Sequence, residues 1–254
     1  MMQDFTSLFV RHEGPVLKVQ LNRPEAGNAI SGAILDELLV VLGALDNETG
    51  IRVLILSGTG NDFCLGGDRT EFLAMLAADP SGLELRALGN KARRVCDALA
   101  SIDAVTIARL HGGVVGAGVG LAVFCDLRVG ADDCRFRLPE LGLGVPPAWG
   151  GIMPRLLNEA GAAKIRELIL TADYFDADTA NELSILHKVV PVDQLDSAVE
   201  RWTKPMIRRS ASALRTAKLM MNAYANANRL ADASLFDAEL LSSALAGAAS
   251  ARHR

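Results

Sequence analysis

One glutamate and two glycine-rich segments are the residues of this chain that could do chemistry. The first segment, residues 58–72, reads GTGNDFCLGGDRTEF, and the second places five glycines between positions 112 and 120. Glycine lets the backbone approach a ligand closely, because no Cβ stands in the way. Backbone N–H groups at the start of a helix have no partner within that helix and can hold negative charge on an oxygen. We therefore predict that each segment supplies one N–H donor to an oxyanion hole.

Glu140 is the candidate for moving a proton. It follows Pro139 directly, after the second glycine-rich segment. By itself such a glutamate is typical of a solvated loop, but beside two oxyanion donors we interpret it as a general base. A base that works near neutral pH needs a pKa above the free value of about 4.3, and burial is a common way to raise it. We therefore expect Glu140 to be buried.

Two helix starts are predicted next to these glycines. Asp68 and Glu71 have the spacing of a capping box, which predicts a helix that begins at Arg69 and makes Asp68 a cap and not a catalyst. A second, short helix is predicted to begin near Ala117. The backbone amides of Gly67 and Ala117 would then both lie where donors are free.

Several neighbouring residues have competing interpretations. His111 precedes the second glycine loop and could be an acid–base residue, but histidine is also a common structural residue. Cys64 adjoins the first loop, and since nothing in the sequence indicates a lowered pKa, we interpret it as packing. The run GAGVG at 116–120 brings its third glycine one position too early for a dinucleotide loop. No cluster has the spacing of metal ligands, so we expect no metal and no separate cofactor.

The composition restricts the class of protein. The chain has 254 residues, of which 50% are hydrophobic, and a formal net charge of −4. It carries no strongly basic block, which argues against nucleic acid or an anionic membrane as a partner. The apolar runs are shorter than a bilayer span, and the first residues lack the pattern of a secretory signal. Four widely spaced cysteines without a CxxC pair are typical of a reducing compartment, so we expect a cytoplasmic protein.

Strand and helix patterns alternate in the first part of the chain. Two apolar runs, Phe5–Val10 and Val16–Leu21, predict a hairpin. Ser31 can cap a following helix, and residues 53–56 predict a buried strand. A strand–helix–strand order favours parallel pairing.

Further helices are predicted within the alternating part and beyond it. A long helix is predicted over Leu83–Ile102, although Gly89 weakens it. Beyond about residue 195 the patterns indicate helices alone, which divides the chain into a core at 1–195 and a helical region at 196–254. The Ala-rich tail, residues 242–254, has little to hold it in place, and we expect disorder in its last residues.

Four stretches together resemble the crotonase family, also called the enoyl-CoA hydratase/isomerase family. They keep the family's order and spacing: LNRPEAGNAIS at 21–31, VLILSGTGNDFCLGGDRTEF at 53–72, residues 111–140, and ELILTADYFDADTANELSILHKVVP at 167–191. The resemblance implies an α/β fold, a crotonase-like spiral of ββα turns with a C-terminal helical trimerisation region. It also implies a homotrimer or hexamer.

The resemblance further implies a substrate and a way to hold it. Members bind acyl-CoA thioesters, and a carrier-protein thioester is the related alternative, so coenzyme A would be part of the substrate. Gly67 and Ala117 match the two N–H donors that stabilise a thioester enolate, and Glu140 matches a catalytic acid of the family. The predicted substrate-binding residues around them are Leu65, Gly66, Asp68, Gly116, Gly118, Gly120, Trp149 and His111.

Three departures from the family's pattern shape the functional prediction. Hydratases of the family carry two glutamates; one matches Glu140, and the other falls on Gly120. A single carboxylate can move a proton between two carbons but is less suited to act as both base and acid on water, which favours a Δ3–Δ2 enoyl-CoA isomerase. Trp149 stands where a small residue is common, and we expect it to shape the acyl pocket or cover Glu140. The family's last helix is predicted to be missing or degraded after Glu239.

Other functions remain open at this point. A hydratase with a reduced set of acids is compatible with the same residues. Decarboxylation of a malonyl-type thioester needs the oxyanion hole but no α-proton abstraction, which would suit the loss of a carboxylate at residue 120. A non-catalytic scaffold subunit is the third alternative, motivated by Gly120 and the altered C-terminus. The fold cannot choose among these, because one fold hosts many chemistries.

Overall fold

The fold begins with the predicted hairpin. The computed structural model describes residues 5–45, 48, 50–226 and 233–252, without the side chains of 226, 233 and 248–252. Strand β1, Leu8–Glu13, pairs antiparallel with β2, Val16–Leu21. The first strand therefore begins three residues later than the predicted Phe5, because the amides of Thr6 and Ser7 donate to the carboxylate of Glu37 and not to a strand.

A six-stranded sheet forms the centre of the molecule. The strands added to the hairpin are β3 (Val53–Gly58), β4 (Val105–Leu110), β6 (Leu127–Ala131) and β9 (Lys188–Val190). After β2 the strands pair in parallel, in the spatial order β1-β2-β3-β4-β6-β9. Every residue of β3 is buried, as is typical of a parallel sheet that helices cover on both faces.

A smaller sheet lies beside the first. It consists of β5 (Gly113–Val115), β7 (Arg135–Arg137) and β8 (Phe175–Asp176) in that order. Single bridges, Ile30 to Gly67 and Cys64 to Val114, connect the two glycine-rich segments to their neighbours in this region. The backbone of both predicted oxyanion segments is therefore fixed by sheet-type pairing.

Ten helices within the described residues surround these strands. Their bounds are α1 (Gly32–Leu45), α2 (Arg69–Ala78), α3 (Leu83–Ser101), α4 (Ala117–Val123), α5 (Ile152–Glu159), α6 (Ala162–Thr171), α7 (Ala177–Glu182), α8 (Leu195–Arg208), α9 (Ala211–Asn226) and α10 (Asp237–Arg252). The predicted α/β class is confirmed. Helices α8 and α9 pack directly on the core, where Lys218 forms an ion pair with Asp126 at 2.8 Å, so the division at residue 195 stays a prediction.

The predicted cap at Asp68 is present, but the predicted capping box is only half formed. Asp68 Oδ1 accepts a hydrogen bond from the amide of Glu71 at 3.1 Å, which starts α2 at Arg69. The carboxylate of Glu71 does not return to Asp68. It accepts instead from the amide of Gly32 at 3.0 and 3.2 Å, because Asp68 N–H is already bonded to Ile30 O. Glu71 thereby joins the starts of α1 and α2.

The expectation of a missing or degraded last helix was wrong. Helix α10 runs along α3, where a Cβ on Gly89 would lie 3.0 Å from Ala238 Cβ. The hydroxyl of Ser242 donates to Gly82 O at 2.7 Å, and Leu241 is buried. Gly89, which weakens the α3 prediction, is the residue that lets α10 approach. The end of the Ala-rich tail, residues 253–254, lies outside the described residues.

Two classes of feature are absent from the described parts of the chain. No helix there is long and apolar enough to cross a bilayer. No group of three or more His, Cys, Asp or Glu side chains there has an arrangement that could hold a metal ion.

Candidate active site

A cavity of about 350 Å³ lies between α2, the start of α4, the 139–149 segment and α10. This volume is at the lower end of the roughly 300–1,000 Å³ typical of small-ligand sites. Among the described lining residues only Arg69 and Glu140 carry charge, and Arg69 is exposed to solvent. The full lining is Leu65, Gly66, Gly67, Arg69, Phe72, Leu73, Val115, Gly116, Ala117, Pro139, Glu140, Leu143, Val145, Pro146, Ala148, Trp149, Leu241 and Leu245.

The amide of Gly67 is left free by the way its segment pairs with Ile30. Ile30 N–H donates to Gly66 O at 2.8 Å, and Asp68 N–H donates to Ile30 O at 2.9 Å. Successive amides of an extended segment point in opposite directions, so the Gly67 N–H faces away from Ile30. It has no hydrogen-bond partner among the described residues, and Gly67 lines the cavity.

The amide of Ala117 is free for a different reason. Ala117 is the first residue of α4, where backbone N–H groups lack a partner within the helix. The preceding Gly116 has φ 48° and ψ −109°, a conformation that L side chains rarely adopt. The amide of Gly116 donates to Arg137 O at 3.0 Å. The next amide, that of Ala117, has no hydrogen-bond partner within the described structure. Both predicted donors therefore border the same cavity.

The carboxylate of Glu140 lies beside the second donor. A Cβ on Gly116 would lie 3.1 Å from Glu140 Oε1, so the carboxylate stands against the peptide that carries the Ala117 amide. The other oxygen, Oε2, is buried and has no hydrogen-bond partner in the described part of the chain. Burial raises the pKa of Glu140 above its ordinary value. A carboxylate with one buried, unpartnered oxygen, on the same cavity as two free amides, has the properties of a general base.

Trp149 lies over Gly120 and forms another part of the cavity wall. A Cβ on Gly120 would meet ring atoms Cζ3 and Cε3 of Trp149 at 2.6 and 2.7 Å. The indole therefore occupies the place where any side chain at residue 120 would begin. Trp149 is only 8% exposed, so this packing is in the interior.

Four of the predicted substrate-binding residues line the cavity: Leu65, Gly66, Gly116 and Trp149.

The other four predicted substrate-binding residues do not line the cavity, and each has a packing or hydrogen-bonding reason. Asp68 caps α2 and pairs with Arg23 at 2.9 Å, and a Cβ on Gly118 would lie 2.5 Å from Cys64 O. Gly120 is covered by the indole, and His111 Nε2 forms a hydrogen bond with Gly60 O at 3.0 Å. The functional roles of all these residues stay predictions.

Cys64 lies beneath the first glycine loop and does not face the cavity. Burial raises the pKa of its thiol to about 12, so it is protonated at neutral pH. Its Sγ accepts from the amide of Gly66 at 3.5 Å. These contacts fit the interpretation of Cys64 as packing.

Much of the apolar lining was not predicted from the sequence. Phe72 and Leu73 on α2 follow the first glycine loop closely, and that proximity was a usable signal. Leu241 and Leu245 are four residues apart, so they share one face of α10. They were missed because the helical pattern beyond residue 195 does not reveal which face of a helix packs on the cavity.

The comparisons with known proteins agree with this arrangement. A family model described as enoyl-CoA hydratase/isomerase matches residues 11–252. A probable enoyl-CoA hydratase, echA8, of Mycobacterium tuberculosis is 32% identical over 242 residues, which cover 95% of this chain and 91% of the relative. The short-chain-enoyl-CoA hydratase of Clostridium acetobutylicum is 30% identical over 220 residues, covering 86% of this chain and 82% of the relative.

Solved structures give the same picture of the fold. AtuE of Pseudomonas aeruginosa superposes with a TM-score of 0.83 at 31% identity, covering 92% of this chain and 89% of that one. An enoyl-CoA hydratase of Mycobacterium smegmatis superposes with a TM-score of 0.81 at 28% identity, covering 92% and 88%. The predicted crotonase-like fold is confirmed by these superpositions.

Proposed function

This chain belongs to the enoyl-CoA hydratase/isomerase family, and from that premise we propose that it is a Δ3–Δ2 enoyl-CoA isomerase. The observation that carries the proposal is that Glu140 is the single carboxylate among the described lining residues of a cavity that two free amides also border. Acyl-CoA thioesters fit the family, and a carrier-protein thioester is the alternative form of the substrate.

In the proposed reaction one side chain moves one proton. The thioester oxygen of a 3-enoyl substrate accepts hydrogen bonds from the amides of Gly67 and Ala117. Glu140 takes a proton from C2, and the C–H electron pair delocalises through the thioester as a dienolate whose charge rests on that oxygen. Glu140 then gives the proton to C4, so the double bond moves from C3–C4 to C2–C3. One C–H bond breaks and one forms, and no further reactant is consumed.

The environment of Glu140 supports this mechanism. Burial makes the ionised carboxylate a stronger base than an exposed glutamate, since its pKa is raised. Fixed amides stabilise the oxyanion more than the ground-state carbonyl, and the loss of one such donor commonly costs about 2.7–4 kcal/mol of barrier. The two effects act on the same step, because proton removal and oxyanion formation occur together.

Hydration is the second candidate, and the printed names of the relatives favour it. Adding water needs a group that deprotonates the water and a group that protonates the substrate carbon. The charged groups of the described lining are Glu140 and the exposed Arg69, so one carboxylate would have to serve in both capacities. This chain would then be a hydratase with a reduced set of acids.

Product analysis separates these two candidates. The protein is incubated with 3-enoyl-CoA and, separately, with 2-enoyl-CoA of the same chain length, and all thioesters are identified by mass and chromatography. Conversion of the 3-enoyl substrate that is much faster than hydration of the 2-enoyl substrate is expected. Rapid formation of 3-hydroxyacyl-CoA without isomerisation would refute the isomerase assignment and favour the hydratase.

Two further alternatives have weaker support. An apolar cavity would favour decarboxylation of a malonyl-type thioester, because a carboxylate is poorly solvated there. Release of carbon dioxide from such a substrate would identify that activity. The scaffold hypothesis depended partly on a degraded C-terminus, and the presence of α10 removes that argument. It would be favoured only if no acyl-CoA raised the melting temperature.

We also propose that the chain assembles as a homotrimer or hexamer. The support is an exposed apolar surface on α9, which includes Leu219, Met220, Met221 and Tyr224. Contiguous exposed apolar side chains commonly mark an interface. Light scattering coupled to size-exclusion chromatography should give three or six times 27.0 kDa, and a monomer mass would contradict the proposal.

A further inference from the structure

We infer that Trp149 determines the outcome of the reaction, because its indole lines the same cavity as Glu140 and fills the space beside residue 120 that water or a second polar side chain would need. The dienolate is then protonated on carbon, and water is not added to the substrate. The inference rests on the proposed function and adds a specificity-determining residue to it. Trp149 acts by exclusion and takes no part in proton transfer.

The geometry at residue 120 carries the inference. A Cβ there would meet the indole at 2.6 and 2.7 Å and Ile152 Cδ1 at 3.7 Å. The first two distances are far below van der Waals contact, so no side chain fits at residue 120 while the indole stays in place. Trp149 and a polar group at position 120 are mutually exclusive.

The two residues that follow Trp149 are held by contacts from two other helices. Gly150 and Gly151, which follow Trp149, both have positive φ, at 60° and 82°. A Cβ on Gly150 would lie 2.7 Å from the sulfur of Cys96 on α3, and the amide of Gly151 donates to Asp237 Oδ2 on α10 at 2.9 Å. The turn after Trp149 is therefore fixed on both sides, which keeps the indole against α4.

Once a thioester oxygen occupies the two free amides, the cavity wall around Glu140 offers few other groups that could hold a water molecule. A buried water needs two to four polar partners and about 10–15 Å³ of free volume. The lining residues that follow Glu140 in the sequence, Leu143, Val145, Pro146 and Ala148, are apolar, and Trp149 continues this surface. Excluding water in this way also limits the exchange of a transferred proton with solvent.

The experiment measures where the proton goes. Wild type, Trp149→Ala and Trp149→Phe are incubated with 3-hexenoyl-CoA in D₂O, and deuterium at C4 of the 2-enoyl product is measured by mass spectrometry. Wild type should return mainly the abstracted proton. Trp149→Ala should raise deuterium incorporation by roughly tenfold and form 3-hydroxyacyl-CoA, because solvent reaches Glu140. Trp149→Phe keeps a ring in place and should lie between the two.

Trp202→Ala is the matched control, since the other tryptophan of the chain lies on α8, outside the cavity lining. Its deuterium content and products should match those of wild type. Melting curves of all variants show whether they fold, and Trp149→Phe provides the test if Trp149→Ala does not. Unchanged deuterium content and unchanged hydration in a folded Trp149 variant would overturn the inference.

A second pair of variants tests the mutual exclusion itself. Gly120→Ala should displace the indole and reproduce part of the Trp149→Ala effect. In the Trp149→Ala background the same Gly120 substitution should have little further effect, because its steric partner is gone. Equal effects of Gly120→Ala in both backgrounds would show that the two residues act independently, which contradicts the inference.

The failure of this inference can be told from the failure of the proposed function. A wild type that does not convert 3-hexenoyl-CoA refutes isomerisation. Hydration of 2-hexenoyl-CoA by wild type and Trp149→Ala is then compared directly. An increase in the variant still supports exclusion of water by Trp149, and equal rates, including zero for both, refute it.

Discussion

Gly116 and Gly120 lie four residues apart at the two ends of one helical turn, and the structure uses the missing side chain differently at each. The space beside Gly116 faces Glu140, whose Oε1 would lie 3.1 Å from a Cβ. The space beside Gly120 is filled by Trp149, with separations of 2.6 and 2.7 Å. One glycine leaves room for a reacting carboxylate, and the other leaves room for an apolar ring. Their common residue type therefore says little about the chemistry at each.

Glu140→Gln tests the reactive side of this comparison and has the largest expected effect. The variant keeps the size of the side chain but cannot accept a proton, so kcat should fall by about 10²–10⁴-fold. Binding of the acyl-CoA, measured by calorimetry, should persist. Glu182→Gln on the exposed surface of α7 is the control and should retain full activity. Substantial turnover by Glu140→Gln would mean that another group moves the proton.

Ala117→Pro tests the amide next to Gly116. Proline is tolerated at the first position of a helix, so the substitution removes the N–H donor and leaves the start of α4 in place. The loss of one oxyanion donor should lower kcat by about 10²–10³-fold.

Ala162→Pro is the matched control for that substitution. It places proline at the first residue of α6, also after a glycine, on an exposed surface outside the cavity lining. Its activity should equal that of wild type. Similar losses of activity in both variants, or a collapse of the melting temperature in Ala117→Pro alone, would remove the support for an amide donor at residue 117.

The pH dependence should report the raised pKa of Glu140. The base must be ionised, so kcat/KM should fall as the pH decreases through a midpoint above the free value of about 4.3. Trp149→Ala should move that midpoint downwards, because solvent then reaches the carboxylate. A midpoint at or below the free value in wild type would contradict the buried base.

The same burial should destabilise the protein when Glu140 is ionised. A carboxyl group whose pKa is raised in the folded state stabilises the fold below its unfolded pKa, and this contribution is lost as the pH rises through the folded pKa. Glu140→Gln should therefore be more stable than wild type near pH 8, and the difference should shrink towards pH 4. Urea denaturation at both pH values measures it. A difference independent of pH would point to packing and not to charge.

Gly89→Ala extends the comparison to a glycine far from the chemistry and has the smallest expected effect. The space that a Cβ on Gly89 would need is filled by Ala238 of α10, as the space beside Gly120 is filled by Trp149. Overpacking should cost about 1–3 kcal/mol of unfolding free energy, despite the better helix propensity of alanine. Gly43→Ala on an exposed position of α1, where nothing lies within 4 Å, should instead stabilise by about 0.5–1 kcal/mol. Stabilisation by both substitutions would show that α10 is not packed there.

Local patterns in the sequence predicted much of the site. The cap at Asp68, the helix start at Ala117 and the raised pKa of Glu140 were all predicted and are all present, although Glu140 is half-buried and only its Oε2 is fully enclosed. Each depends on residues close together in the chain or on the chemistry that a residue needs. The family and its fold were identified from the motifs, and both are confirmed. Isomerisation stays a proposal, because its chemistry depends on a substrate.

The predictions failed where distant segments meet. Glu71 bonds to Gly32 on another helix and not to its neighbour Asp68. The helical pattern beyond residue 195 extends over helix α10, but its packing against Gly89 and Gly82, on and before α3, was not predicted. His111 is turned towards Gly60 and away from the cavity. Side chains choose such partners after the helices and sheets have packed, and a pattern in one segment carries no information about the other.

The sequence by itself determined the family, the two glycine loops, the glutamate at residue 140 and the glycine at residue 120. Only the tertiary structure decided what occupies the space beside that glycine, because Trp149 reaches Gly120 from a separate loop held by α3 and α10. Close packing leaves few voids in a protein interior, so the space beside a buried glycine is filled by a neighbour in space. That neighbour is set by the packing of whole elements, which the order of residues along the chain does not reveal.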